Sequence, residues 1–154
     1  MKFSAREDIE APIDQVFARV TDFAAFERQM LRRGAEVRRV DAGQPVTVGS
    51  AWDVAFTFRS RERRMRATVT RMDAPGDLVV AIAASGLDGV TTVELVALSP
   101  QRTRLAVTID LSAKSLSARL LLQSLKLAKS NLSNRFKKRV SEFAAGIAPT
   151  TRTS

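Results

Sequence analysis

Alternation of hydrophobic and polar residues is the dominant pattern of the chain. In residues 52–58 the order is Trp, Asp, Val, Ala, Phe, Thr and Phe, so large apolar side chains recur at every second position. Because successive side chains of a β-strand point to opposite faces, this period predicts a strand with one buried face. Segments rich in Gly, Pro, Asp and Ser separate the repeats of the pattern and predict short turns. Six or seven antiparallel strands are predicted, over residues 2–10, 35–41, 52–59, 64–70, 78–84, 90–98 and 105–111.

Helical spacing follows the first predicted strand. Ile13, Val16, Phe17 and Val20 recur at the spacing of one helix face, and Pro12 suits the first turn of that helix. The next residues predict a second short helix with two phenylalanines and a methionine on one side. Two short helices are therefore expected between the first strand and the rest of the sheet.

The last predicted element is the longest. Residues 115–145 contain neither proline nor glycine, and Gly146 and Pro149 end the pattern. A single helix is predicted over 115–146, a single domain over 1–147 and a flexible polar tail over 148–154. The apolar stripe of this helix consists of Leu121, Leu125, Leu132, Phe136, Val140 and Phe143.

The predicted long helix also has apolar residues on its other side. Leu116, Leu120 and Leu127 fall opposite Leu125, with basic residues between them and no acid before Glu142. This second apolar side predicts either packing against another layer, such as the two short helices, or an exposed patch used for dimerisation or for contact with a membrane surface. Packing within the chain or in a dimer is the favoured interpretation.

The order of elements predicts how they pack. A sheet with one apolar face needs a covering layer, and only the helix predicted over 115–146 is long enough to provide it. We therefore expect an α+β fold in which a curved antiparallel sheet of six to seven strands surrounds a long C-terminal helix. Such an arrangement leaves room for an internal cavity lined by apolar groups.

The composition excludes several kinds of active site. The chain has no histidine, cysteine or tyrosine, so Ser-His-Asp and Cys-His catalysis and the usual zinc sites are impossible. No metal or cofactor is predicted, and the absences argue against an enzyme. Glu7 is the weak catalytic candidate, because it is the one acid on the apolar face of the first strand. An irregularity that turns Glu7 outward is the favoured interpretation, since a buried carboxylate needs a partner.

The net charge of +9 raises the question of an anionic partner. Aromatic residues make up only 6% of the chain, which argues against a base-stacking surface and so against nucleic-acid binding. No apolar run is long enough to span a membrane, and the charged N-terminal residues do not resemble a secretory signal. A cytoplasmic location is expected.

The predicted cavity has two sets of candidate ligand contacts. The hairpin that follows Phe58 is crowded with arginines, which can hold a carboxylate or phosphate group if they overhang the cavity. A solvated sheet face is the favoured interpretation, and Arg64 and Arg66 are expected to face solvent because Met65 and Ala67 face inward. The candidate anion contacts are Arg63, Arg64 and Arg66. The candidate lining residues, which alternatively form a closed core, are Trp52, Phe56, Phe58, Met65, Val69, Ile82, Leu95, Leu121, Leu125 and Leu132.

Two segments resemble a known superfamily. Residues 11–23, with an Ala-Pro start and Asp22 followed by Phe23, resemble the opening of the START-like (SRPBCC) helix-grip proteins. Residues 48–52, Val-Gly-Ser-Ala-Trp, resemble the entry to the third strand of that fold. The superfamily includes polyketide cyclases and dehydratases, pollen-allergen-like carriers and lipid-transfer domains. The resemblance implies a cavity for a hydrophobic ligand, but it does not imply a shared reaction.

The favoured function is therefore binding or transport of a small hydrophobic molecule such as a lipid, an isoprenoid or an aromatic polyketide. A cyclase or dehydratase acting on such a molecule is the first alternative, because positioning alone supplies much of the rate of an intramolecular closure. A protein bound at an anionic membrane through the basic C-terminal helix is the second alternative.

Overall fold

A single antiparallel sheet of seven strands organises the protein. The computed structural model describes residues 1–147, and the tail predicted at 148–154 lies outside the described residues. The strands are β1 (Lys2–Ile9), β2 (Glu36–Arg39), β3 (Ala51–Phe58), β4 (Arg61–Asp73), β5 (Asp77–Ala84), β6 (Leu87–Ser99) and β7 (Arg102–Ala113). The helices are α1 (Ile13–Val20), α2 (Phe23–Arg32), α3 (Leu116–Leu127) and α4 (Lys129–Ala145).

The strand order is β1-β7-β6-β5-β4-β3-β2, so the first two strands of the sequence form the two edges of the sheet. Helices α1 and α2 connect these edges, while the remaining strands follow one another as a meander. The register shifts between Val69 and Arg71 in β4 and between Ala97 and Ser99 in β6. Such irregularities bend strands and increase their twist, which suits a curved sheet.

The hydrophobic core lies where α1, α2 and the end of α4 close one end of the sheet. Val16, Val69 and Leu105 are completely buried there. Trp52 stacks on Phe23 of α2 with ring centroids 5.0 Å apart, and its indole Nε1 donates a hydrogen bond to Glu27. A buried tryptophan with a polar partner for its N–H links the third strand to α2.

The C-terminal helix is divided at Ala128, whereas the sequence predicted one continuous helix. The Ala128 N–H donates to the Leu125 carbonyl, three residues back, at 3.0 Å, and α4 begins at the next residue. Neither proline nor glycine causes the break. The two segments pack on different strands, α3 on β7 and α4 on β1, so the division lets each follow its own part of the curved sheet.

The expectation that a second layer of the same chain covers the other side of this helix is wrong. Leu116, Leu120 and Leu127 of α3 are all exposed. Helices α1 and α2 instead pack near the end of α4, where Phe26 stacks on Phe143 at a centroid distance of 5.7 Å. The apolar side of α3 therefore has no partner among residues 1–147.

Candidate functional site

The register of the sheet defines the face that the helices cover. Alternate residues of four neighbouring strands lie on the side of the buried core. The pairs that show this are Ala5 with Val107, Val107 with Val93, and Val93 with Leu78. The same face continues through β4 and β3, where Met65 pairs with Val54. We call this side the concave face and the opposite side the outer face.

Burial along the concave face changes from one end to the other. Trp52, Val69 and Leu95, which the sequence predicted as lining, lie fully within the core near α1 and α2. The other predicted lining residues are partly exposed towards the opposite end, which we call the open end, and Phe56 and Met65 among them pack against the core. The partly exposed residues are Phe56, Phe58, Met65 and Ile82 on strands, and Leu121, Leu125 and Leu132 on the two C-terminal helices.

Strand β7 contributes two further residues to the open end. Ile109 and Leu111 share the concave face with the buried Leu105, and both are partly exposed. Sequence reasoning left them out of the candidate lining, although their alternation with Thr108 and Asp110 contained the necessary signal. Their position follows from the pairing of β7 with both β1 and β6.

Arg63 is a charged residue that the register places among these apolar side chains, and Arg61, which shares its face, is exposed. Arg63 pairs with Phe56 across the hairpin and lies two residues before Met65, so it shares their face. Its Nε atom is buried and has no hydrogen-bond partner. Within residues 1–147, no carboxylate forms an ion pair with its guanidinium. A buried donor on a charged group is costly without an acceptor, so this position favours an anionic partner.

Arg64 and Arg66, the other predicted anion contacts, lie on the outer face. Arg64 forms an ion pair with Glu62 at 3.0 Å, and Arg66 forms one with Asp53 at 2.8 Å. The structure therefore separates the three arginines: only Arg63 is on the concave face. An anion bound beside Phe56 would contact Arg63 without approaching the other two.

A recess of about 710 Å³ also lies along β2, β3, β4 and the β5–β6 turn. Outward-facing residues such as Arg38, Asp53 and Arg64 supply most of its lining, so it is not the internal cavity predicted from the sequence. In the part of the chain that the structure describes, all of its charged groups except Glu36 form ion pairs, including Lys114 with Asp88 at 2.6 Å. We therefore assign no ligand to this recess.

The ion pairs that Asp53 forms with Arg66 and Arg38 on the outer face predict how the stability of the protein changes in acid. The hydrogen bond and charge of Arg66, assisted by Arg38, hold the pKa of Asp53 below its ordinary value of 3.8. A carboxyl group whose pKa is lower in the folded than in the unfolded state stabilises the protein at pH values above its unfolded-state pKa. This contribution disappears as the pH falls through the folded-state pKa. Asp53→Asn should therefore be less stable than the parent at neutral pH, and the difference should shrink as the pH falls towards the folded-state pKa of Asp53. Urea unfolding between about pH 7 and about pH 3 measures this difference.

The Arg66→Gln variant is the control for that measurement, because Arg66 is the main cause of the lowered pKa of Asp53. It should reduce the same pH-dependent difference while leaving the carboxylate in place. A stability difference between the parent and Asp53→Asn that persists unchanged into acid would contradict the assignment.

Glu7 stays on the side of Ala5 and Ile9, because the β1–β7 register is regular over its whole length. The irregularity that was expected to turn it outward is absent. It is partly exposed and borders a recess of about 250 Å³ that also touches Lys137 of α4. This place is at the sheet edge, four strands from β4 and Arg63 in the strand order.

The tip of the β3–β4 hairpin reaches α3 across the open end. Arg59 and Ser60 both have positive φ angles, 53° and 63°, which a tight two-residue hairpin requires. The Arg59 Nη1 atom donates to Ser124 Oγ of α3. The hairpin and the helix therefore meet at the edge of the concave face.

Residues 1–147 contain no cluster of three or more His, Cys, Asp or Glu side chains that could hold a metal ion. None of their helices combines the length and the hydropathy needed to cross a membrane.

Comparison with known families decides where the chain belongs. The family described as polyketide cyclase / dehydrase and lipid transport matches residues 1–148. The chain is a member of this family. The match covers almost the whole chain and agrees with the resemblance to START-like proteins noted for residues 11–23. A search of curated proteins by sequence finds no match.

Solved structures share the fold of this family member. A protein from Chromobacterium violaceum aligns with a TM-score of 0.65 at 15% identity, covering 97% of this chain and 99% of its own. The Zhui aromatase/cyclase of a Streptomyces species aligns with a TM-score of 0.65 at 13% identity, covering 96% and 93%. An HSP90 activator from Plasmodium falciparum aligns with a TM-score of 0.50 at 22% identity, covering 71% and 72%. These likenesses establish the helix-grip fold, and a shared fold does not by itself imply a shared function.

Proposed function

We propose that the protein binds a small hydrophobic molecule with an anionic end, with Arg63 holding that end. The observation that supports this most is the buried, unpartnered Nε atom of Arg63 on an otherwise apolar part of the concave face. Phe56 and Met65 flank the arginine on the same face, and both are partly exposed. An aliphatic or aromatic body would cover these side chains while a carboxylate or an enolate accepts hydrogen bonds from the guanidinium.

Lipids and aromatic polyketides both fit this description, because each combines an extended apolar body with an acidic or enolic end. The family description names both lipid transport and polyketide chemistry. Binding is the activity we propose, since the acidic candidate Glu7 lies beside Lys137 at the sheet edge and not beside Arg63. Catalysis by a group at that distance from the bound end would lack the contact that proton transfer needs.

Arg63→Met is expected to weaken binding of dodecanoate about 10- to 100-fold, because it removes a charge-assisted hydrogen bond and keeps the apolar stem. Isothermal titration calorimetry measures this loss. Dodecanol, which has the same chain length and no charge, should bind both proteins with similar affinity. Native mass spectrometry of the freshly purified protein should in addition show a discrete apolar adduct.

Arg64→Met is the matched control, since Arg64 is the next residue in the chain and lies on the outer face. It should bind dodecanoate as the parent does. Equal losses in the two variants would assign the effect to overall charge, and unchanged affinity in Arg63→Met would reject the proposed anchor. Failure of the parent to bind either probe would reject the proposed class of ligand.

A further inference from the structure

The outer side of α3 is an exposed apolar surface. Leu116, Leu120 and Leu127 have exposed fractions of 72%, 58% and 92%. Projected at about 100° per residue, the three leucines fall within about 40° of one another on the helix. They therefore form one strip, opposite the side whose Leu122 is buried against the sheet.

Basic side chains border this leucine strip. Arg119 and Lys126 are exposed along one flank, and Lys129 follows at the start of α4. The chain contains no acidic residue from Leu111 to Ser141. The tip of the β3–β4 hairpin adds Arg59, whose guanidinium reaches Ser124 on the same helix. Arg119 and Lys126 on one flank and Arg59 near the other thus give the border of the strip a positive charge.

These charges discriminate between the two kinds of partner that three exposed leucines could have. A second copy of the chain would bring its own Arg119 and Lys126 against the same residues, within a molecule whose net charge is +9. Like charges brought together in this way oppose association. An anionic lipid surface instead accepts the leucines in its acyl region and attracts each basic side chain near the head groups.

We propose that α3 docks on an anionic membrane surface through Leu116, Leu120 and Leu127, with Arg119 and Lys126 contacting the lipid head groups. The helix would lie parallel to the surface, as amphipathic helices with a basic flank do. This contact uses the outer side of α3, whereas the proposed ligand lies on the concave face beside Arg63. Docking and ligand binding are therefore separate properties, and each can fail without the other.

Vesicle co-sedimentation tests this docking. The ligand-free protein should sediment with vesicles of phosphatidylcholine and phosphatidylglycerol in equal amounts, and much less with pure phosphatidylcholine. Binding should weaken as salt is added, because salt screens the basic side chains. Replacing the three leucines together, as Leu116→Gln, Leu120→Gln and Leu127→Gln, should lower the partition coefficient at least about tenfold.

The matched control replaces three exposed apolar residues elsewhere, as Leu31→Gln, Val96→Gln and Leu98→Gln. It should bind vesicles as the parent does, and circular dichroism should show both triple variants folded. Equal binding to the two kinds of vesicle, or equal losses in the two triple variants, would overturn the proposal. The proposal would also be overturned by a parent protein that binds no vesicles and that forms a dimer in sedimentation velocity, if the α3 leucine variant converts this dimer to a monomer.

Discussion

Leu105→Ala is expected to lower the free energy of unfolding by about 3–5 kcal/mol, the upper part of the range for a leucine truncated inside a core. Leu105 is 0% exposed and lies on β7 between Glu7 of β1 and Leu95 of β6. Because β7 is paired on both sides, with β1 and with β6, the backbone around Leu105 cannot collapse into the space that the substitution opens. Urea unfolding followed by tryptophan fluorescence measures the loss, because Trp52 lies in the same core cluster.

The same substitution six residues further along β7 is the control. Leu111 lies on the same face as Leu105 but is partly exposed at the open end. Because solvent or a ligand can occupy the vacated volume there, Leu111→Ala should cost about 1 kcal/mol or less. Similar losses at the two positions would mean that the open end is packed as tightly as the core, and would contradict the division of the concave face.

Gly86→Ala is expected to destabilise the protein by about 2–5 kcal/mol, since two costs add at one position. Gly86 has a φ of +74°, which a residue with a Cβ adopts only with strain. A Cβ at this position would also lie 2.6 Å from the Cβ and 2.1 Å from the Oγ of Ser115. No rotation of the serine side chain relieves the contact between the two Cβ atoms.

The clash at Gly86 falls at the start of α3. The Ser115 Oγ accepts a hydrogen bond from the Ala118 N–H and so caps the helix, while the Lys114 N–H donates to the Gly86 carbonyl at 2.6 Å. Moving the turn away from Ser115 would weaken both contacts, and the loss of a capping bond costs about 1 kcal/mol. Thermal unfolding by circular dichroism should show the lower midpoint.

Gly43→Ala isolates the backbone contribution to that loss. Gly43 has a φ of +92°, but nothing lies within 4 Å of the position that its Cβ would occupy. Only the conformational strain should remain, about 1–2 kcal/mol. Losses of the same size at the two glycines would show that the β5–β6 turn moves freely away from α3 and that the contact with Ser115 has no structural role.

The strands were predictable from the sequence because their signal is local. The alternation over residues 52–59 corresponds to β3 at Ala51–Phe58, and the pattern over 78–84 corresponds to β5 at Asp77–Ala84. The longest strands were underpredicted: β4, β6 and β7 extend several residues beyond the alternating segments. Their ends are held by hydrogen bonds to the neighbouring strand, which the composition of a single segment does not reveal.

The candidate site was predictable only in part. Arg63 lies two residues before Met65, and this spacing was sufficient to place it on the concave face. The alternation in β7 placed Ile109 and Leu111 on the same face. In the structure the Nε atom of Arg63 is buried without an acceptor, whereas Arg66 donates a hydrogen bond to Asp53. This difference depends on the register between strands and on the packing around each group. The alternation places these two arginines on opposite faces, but it does not show which of them has an acceptor.

The sequence by itself determined the class of fold, the two faces of the sheet and the apolar stripe of the C-terminal segment, because each follows from a periodicity within a few consecutive turns or residues. Only the tertiary structure decided that this segment divides at Ala128, that Leu127 remains exposed and that Gly86 has no room for a side chain. Those outcomes depend on where distant segments meet, as Arg59 meets Ser124 across 65 residues. Burial and steric contact of this kind arise between elements, so no pattern within one element specifies them.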